Sequence, residues 1–163
     1  MNEYKIIDNF LSDEEFKIIH DQVTDYRFAW YYNSTTAYED EKNTTPCFGH
    51  VLYNECNIYS NFYSVIKDII LDKLNPKAII RSKINMYVKT KTLVEHAWHT
   101  DYDFSHKGAL FYINTNNGYT ILEDGTKIES IANRMLFLDT SKNHKSTTCT
   151  DEDRRINLNI NYL

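Results

Sequence analysis

The spacing of apolar residues changes character part-way along the chain. Before about residue 75, apolar positions recur every three or four residues; after it, they alternate one by one. Leu11, Phe16, Ile19 and Val23 form a helical stripe. Ser12 is placed to cap it, with Glu15 three residues later completing a capping box, which predicts a helix over about 13–24. Tyr59, Phe62, Val65, Ile66, Ile69, Ile70 and Leu74 predict a second helix over about 58–73, ended by Asn75-Pro76. Short strands are expected at 4–10, 28–33 and 48–53. The polar stretch 33–46 reads as a long loop, either a lid or plain disorder.

From residue 79 onward the pattern is that of strands. Strands are predicted over 79–89, 93–101, 108–115, 119–122, 127–131, 134–138 and 154–163. Asn116-Asn117-Gly118 signals a hairpin that pairs 108–115 with 119–122, and Glu123-Asp124-Gly125-Thr126 a second turn. Residues 139–153 read as a polar loop. In the last strand Ile156, Leu158 and Ile160 share one face, while Arg155, Asn157, Asn159 and Asn161 share the other, a face suited to lining a wet cavity. About eight short strands after two helices indicate a mainly β sandwich or barrel with the helices bracing one outer face. A single domain over 1–163 is expected, with its barrel core at about 79–163.

Composition narrows the function classes. The chain has 163 residues and a net charge of −5, which argues against a nucleic-acid backbone as partner. It has no apolar run of about 18 residues to span a membrane, and its first residues do not read as a signal peptide. Cys47, Cys56 and Cys149 are irregularly spaced, which favours a reducing, cytoplasmic setting over a disulfide framework. Glycine is scarce, with 4 residues, so asparagine is expected at turns that need unusual backbone angles.

The candidate chemistry lies in Glu95–Asp103. On an extended strand His99 and Asp101 point the same way, so an imidazole and a carboxylate can grip one divalent metal. His144 is the candidate third ligand. Two histidines and one carboxylate on one side of a metal form the facial arrangement of non-haem Fe(II) oxygenases. Arg155 offers a guanidinium fork suited to a carboxylate. His96 is out of phase with His99 and is expected to face away. Together with Asp103 and His106 it reads as a solvated or outer position. His20 and His50 read as surface or packing residues, and Trp98 as packing on the barrel's outside.

The order His99-x-Asp101, His144, Arg155 resembles that of the 2-oxoglutarate/Fe(II)-dependent dioxygenases. It is most similar to the prolyl-4-hydroxylase-like branch, in its short bacterial and viral versions. Further matching text is Ile7-Asp8-Asn9-Phe10-Leu11, Asn85-Met86-Tyr87, Phe111-Tyr112-Ile113-Asn114 and Arg134-Met135-Leu136-Phe137-Leu138. The resemblance implies a double-stranded β-helix, the cupin-like jelly roll. It implies Fe(II) held by His99, Asp101 and His144, and 2-oxoglutarate held through its far carboxylate by Arg155, helped by Tyr112 and Tyr87, with Arg154 as the rival anchor. The implied reaction consumes O2, with ascorbate as a possible helper, and hydroxylates an unactivated C–H bond while releasing succinate and CO2. Peptidyl proline is the first expected substrate, and another amino acid or small metabolite the alternative. Three other readings remain: a non-redox metal-binding cupin, a nucleic-acid demethylase, whose signature Arg155 to Asn161 echoes without its closing arginine, and a non-catalytic interaction module built on a decayed barrel. The expected setting is the cytoplasm of a bacterium or a virus-infected host cell. Oligomeric state is not legible.

Overall fold

The computed structural model describes residues 4–36 and 45–163. Most of the expected lid, 37–44, therefore lies outside the described residues. The strands are β1 (Lys5–Ile7), β2 (Tyr31–Asn33), β3 (Cys47–Asn54), β4 (Asn57–Ile58), β5 (Ile79–Val88), β6 (Lys107–Tyr112), β7 (Asn116–Leu122), β8 (Lys127–Ser130), β9 (Arg134–Leu138), β10 (His144–Ser146) and β11 (Arg154–Tyr162). The fold is mainly β, a jelly roll of two antiparallel sheets. The larger runs in the order β1-β9-β6-β11-β5-β3-β2 with β4 beside β3, and the smaller in the order β10-β7-β8.

Two helical elements brace the larger sheet. Helix α1 (Asp13–Thr24) opens with the capping box read from the sequence: the Ser12 hydroxyl accepts from Glu15 N at 3.3 Å and Glu15 Oε2 accepts from Ser12 N at 3.0 Å. The second is broken into α2 (Phe62–Ile66), a π turn over Lys67–Leu71, and α3 (Asp72–Leu74). The π turn widens the helix so that Ile66, Ile70 and Leu71 are all buried. With Ile19 and Val23 these side chains pack on Ile84, Phe111, Met135, Ile156, Leu158 and Ile160. Burial of this apolar face is the main force holding helices to sheet.

Asparagine does take the left-handed turns. Asn9, Asn75 and Asn133 all have positive φ. Asn133 also ties the N-terminus to the β8–β9 turn, donating to Leu11 O at 2.8 Å and accepting from Leu11 N at 2.9 Å.

Three sequence expectations fail. Asn116-Asn117-Gly118 is not a hairpin: β6 pairs with β9 and β11, whereas β7 crosses to the smaller sheet and pairs with β8 and β10. The stretch 139–153 is not all loop, because β10 lies within it. Residues 93–101 do not form a continuous strand; they make isolated bridges at Glu95–Thr147 and His99–His144. Between those bridges the chain advances four residues against three on its partner. That slip is a bulge, and it breaks the alternation of faces.

Strand β11 sits between β5 and β6, in register with both. Arg155, Asn157, Asn159 and Asn161 stand opposite Tyr87, Asn85, Lys83 and Arg81 of β5, and Asn157 also opposite Tyr112 of β6. Residues directly opposed share a face. This inner face is therefore polar on its β5 side. Towards β6 it turns apolar, where Tyr112, Leu122, Ile128, Leu136 and Leu138 pack between the sheets.

Candidate metal and co-substrate site

His99 and His144 lie opposite each other across two reciprocal backbone hydrogen bonds of 3.0 Å, which sets their rings 4.5 Å apart, centre to centre. Asp101 joins them two residues on, its N–H donating to Thr140 O at 2.9 Å. One ligand atom from each of His99, Asp101 and His144 lies within 4.8 Å of the other two. Each histidine is oriented by its own backbone. His99 Nδ1 lies 3.2 Å from Ala97 O, and His144 Nδ1 3.0 Å from Lys142 O. A carbonyl can only accept, so Nδ1 carries the proton and Nε2 keeps its lone pair for a metal.

Electrostatics keep His99 and Asp101 in ligand form. Burial, then the neighbouring His144, pushes His99 below the usual imidazole range, so it is neutral. Burial alone would raise the Asp101 carboxyl. His144, Arg81 and the amides of Asn161 and Asn159 outweigh it and hold the carboxyl below the usual range. The contacts are direct: Arg81 Nη2 donates to Asp101 Oδ1 at 3.1 Å, and Asn161 Nδ2 and Asn159 Nδ2 donate to Oδ2 at 2.7 and 3.2 Å. Two imidazoles and an ionised carboxylate in reach of one point are a donor set that fits Fe(II).

Arg155 lies deeper and is fully buried. Its Nε donates to Ser130 Oγ at 2.7 Å, Nη2 to Thr120 Oγ1 at 3.2 Å and Nη1 to Thr147 O at 3.3 Å. The guanidinium carbon lies 5.4 Å from the ring centre of Tyr87 and 5.8 Å from that of Tyr112. Tyr112 donates to Thr120 Oγ1 at 2.8 Å. Burial raises both phenols, so they remain protonated donors. Every described partner of Arg155 is neutral; no carboxylate meets it among the described residues. A buried cation without an anion is costly, and the deficit is what an anionic ligand would relieve. Arg154, on the opposite face, reaches away to Thr24 O at 3.3 Å.

His96 does not face away, and neither it nor His106 is solvated. The bulge before His99 turns His96 inward, where it is 3 % exposed. It lies 2.8 Å from Ser146 Oγ and 3.0 Å from Thr45 Oγ1, with its ring 5.0 Å from that of Tyr87. Burial and the nearby Arg155 push it down to about 4. His106 is also buried, bridging Phe104 O and Thr140 Oγ1. Asp103 is exposed, as read. His50 packs on Phe28 and bonds to Ala29 O, and Trp98 lies on the outside under Lys145.

Several contributors went unnoticed in the sequence: Thr120, Ser130 and Thr147 around Arg155, Gly118 beneath it, and Arg81, Lys83 and Asn85 along β5. The β5 residues had a signal, since they alternate two apart with Tyr87. A Cβ on Gly118 would come within 2.6 Å of Arg155 Cδ and of Thr148 O, so only glycine leaves the arginine its place.

No protein-family model matches the chain, and no curated protein matches its sequence. Solved structures do. An oxidoreductase of the 2OG-Fe(II) oxygenase family from Burkholderia pseudomallei superposes with a TM-score of 0.72 at 12% identity, over 98% of this chain and 84% of its own. A prolyl hydroxylase from Trichoplax adhaerens, in complex with a hypoxia inducible factor peptide fragment, gives 0.70 at 13% identity, over 100% and 84%. The collagen prolyl hydroxylase of Paramecium Bursaria Chlorella virus-1, in its 2OG complex, gives 0.62 at 14% identity, over 98% and 96%. The chain thus has the fold of the 2OG-Fe(II) oxygenases and prolyl hydroxylases.

Proposed function

We propose that this protein is an Fe(II)- and 2-oxoglutarate-dependent dioxygenase that hydroxylates an unactivated C–H bond. The observation that carries the reading is a pairing: a two-histidine, one-carboxylate cluster, and, behind the Tyr87 ring that lines the same cavity, a fully buried arginine that no anion meets among the described residues. A non-redox metal site needs the first and has no use for the second.

In this reading His99 and His144 hold Fe(II) through Nε2, and Asp101 through its carboxylate. Bound there with 2-oxoglutarate, the iron supplies the oxidising chemistry: O2 is consumed, the co-substrate becomes succinate and CO2, and the substrate C–H becomes C–OH. The chain's own residues bind and orient. Arg155 pairs with the far carboxylate of 2-oxoglutarate, and the protonated hydroxyls of Tyr87 and Tyr112 stand beside it as donors. Asn159, Asn161 and Arg81 fix the Asp101 carboxylate, the outer-shell support on which metal affinity depends. His96, neutral at physiological pH, fills the wall behind Tyr87 without adding a charge beside Arg155.

For the substrate, the fold's likeness to prolyl hydroxylases, one of them carrying a peptide fragment, supports peptidyl proline, whereas the polar, cationic lining beside the candidate metal ligands favours the alternative, a small metabolite. The test of the activity is oxygen uptake by the protein given Fe(II), ascorbate and 2-oxoglutarate. Uptake that needs both iron and 2-oxoglutarate, with succinate formed, supports the reading. Uptake independent of 2-oxoglutarate, or none, refutes it.

A further inference from the structure

The assignment of Fe(II) and 2-oxoglutarate leaves one cation of the cavity, Lys83, without a role, and a second, Arg81, with only part of its guanidinium used. Arg81 and Lys83 lie on the inner face of β5, and line with Asn85, Asn159, His99 and Asp101 a half-open cavity of about 160 Å³. Among the described residues its lining is polar apart from the ring of Tyr87. Lys83 extends across Gly49, where an added Cβ would come within 2.6 Å of its Cε. Its ammonium has no hydrogen-bond or ion-pair partner among the described residues. Arg81 commits Nη2 to Asp101, while its Nε is buried without a partner.

Among the described residues the charges do not cancel. Fe(II) and the 2-oxoglutarate dianion sum to zero, and Asp101, paired with Arg81, offsets one of the three cations Arg81, Lys83 and Arg155. Lys83 is then left without an anion in a partly buried pocket, an arrangement that is costly unless an anion completes it. A proline ring, neutral and largely apolar, would leave Lys83 unmet and would find only the Tyr87 ring as an apolar surface beside the candidate metal ligands.

We propose that Arg81 and Lys83 bind an anionic group of the substrate, a carboxylate or a phosphate, so that the substrate is a small acid held beside the metal site. The inference rests on the oxygenase reading and deepens it. Arg81 is shared with Asp101, so Lys83 is the specific determinant and the residue to test.

The experiment uses the full chain loaded with Ni(II), which binds without turnover, and 2-oxoglutarate. Calorimetry then measures the binding of inorganic phosphate, N-acetylaspartate, its neutral diamide N-acetylasparaginamide, N-acetylprolinamide, and a short aspartate-containing peptide. We expect phosphate and N-acetylaspartate to bind at least about ten-fold more tightly than either neutral compound. Lys83→Met should remove that preference and Lys83→Arg restore it, with Ni(II) and 2-oxoglutarate affinities within about two-fold of the parent. The proposal is overturned if no anion binds the loaded protein, if the neutral compounds bind as well, or if Lys83→Met weakens 2-oxoglutarate instead. Tighter binding of the peptide than of the free acid overturns the small-molecule part and makes the substrate an acidic peptide. Failure of the parent to take up Ni(II) and 2-oxoglutarate shows itself before any anion is added, and sinks the oxygenase reading itself.

Discussion

His99 and His144 form a mutually hydrogen-bonded antiparallel pair, each donating its backbone N–H to the other's carbonyl at 3.0 Å. Two histidines far apart in sequence thereby share one face of one rung. Their ring orientations follow from a second pair of bonds, each Nδ1 to the carbonyl two residues back. The backbone alone presents two nitrogen lone pairs to one point, and Asp101 adds the carboxylate.

Asp101→Ala should abolish 2-oxoglutarate turnover and leave the protein folded. The carboxylate is one of three ligand groups, and its removal leaves Arg81 and two amides facing a bare histidine pair. Succinate formation and circular dichroism check the two halves of this statement. Turnover at the parent rate would take Asp101 out of the ligand set.

Arg155→Ala should raise the KM for 2-oxoglutarate by roughly 10–100-fold, the worth of a charge-assisted hydrogen-bond pair. Arg154→Ala should change it by less than about two-fold, because that side chain reaches Thr24 O on the other face. Steady-state kinetics on both variants decides the matter, and the reverse ranking would move the anchor to Arg154.

Gly118→Ala tests the same anchor from below. The new methyl would sit 2.6 Å from Arg155 Cδ and 2.6 Å from the backbone oxygen of Thr148. The carbonyl cannot swing aside as a side-chain tip could. Overpacking of this kind costs about 1–3 kcal/mol, so a lower melting temperature and a raised KM for 2-oxoglutarate are expected together. A variant with unchanged KM and melting would show that the arginine has room to spare.

The buried His96 makes stability depend on pH. Its folded value of about 4 lies below the ordinary imidazole value, so the unfolded chain binds a proton first as pH falls. Its contribution is therefore fully present above about pH 6.5 and is lost progressively down to about pH 4, at up to about 1.4 kcal/mol per pH unit. Urea unfolding of the metal-free protein at several pH values should show this decline, and His96→Gln should flatten it. An equal slope in parent and variant would mean that His96 is not held neutral by the fold.

The sequence carried the local signals well and the crossings badly. Ser12 with Glu15 and the alternation along Arg155–Asn161 are each set by neighbours a few residues apart, and each appears in the fold as read; the second helix appears too, but starts at Phe62 after a strand at Asn57–Ile58, with Tyr59 exposed and a π turn inside it. The 116–118 turn failed because the same residues serve as the start of a strand in the other sheet; Gly118 is there for Arg155, a partner 37 positions on. His96 was misplaced because a bulge, invisible to strict alternation, shifts the register between residues 95 and 99. The three candidate ligand residues, which the fold brings together, were legible by type and order, whereas Thr120, Ser130 and Thr147 are ordinary hydroxyls until the two sheets close over the arginine.

The most direct measurement is an anaerobic titration of the Fe(II)-loaded protein with 2-oxoglutarate, following the visible charge-transfer absorption that a 2-keto acid gives when it chelates ferrous iron. The account predicts a band saturating at one equivalent in the parent, absent in His144→Ala, and needing far more 2-oxoglutarate in Arg155→Ala. No band in the parent, or an undiminished one in His144→Ala, would contradict it.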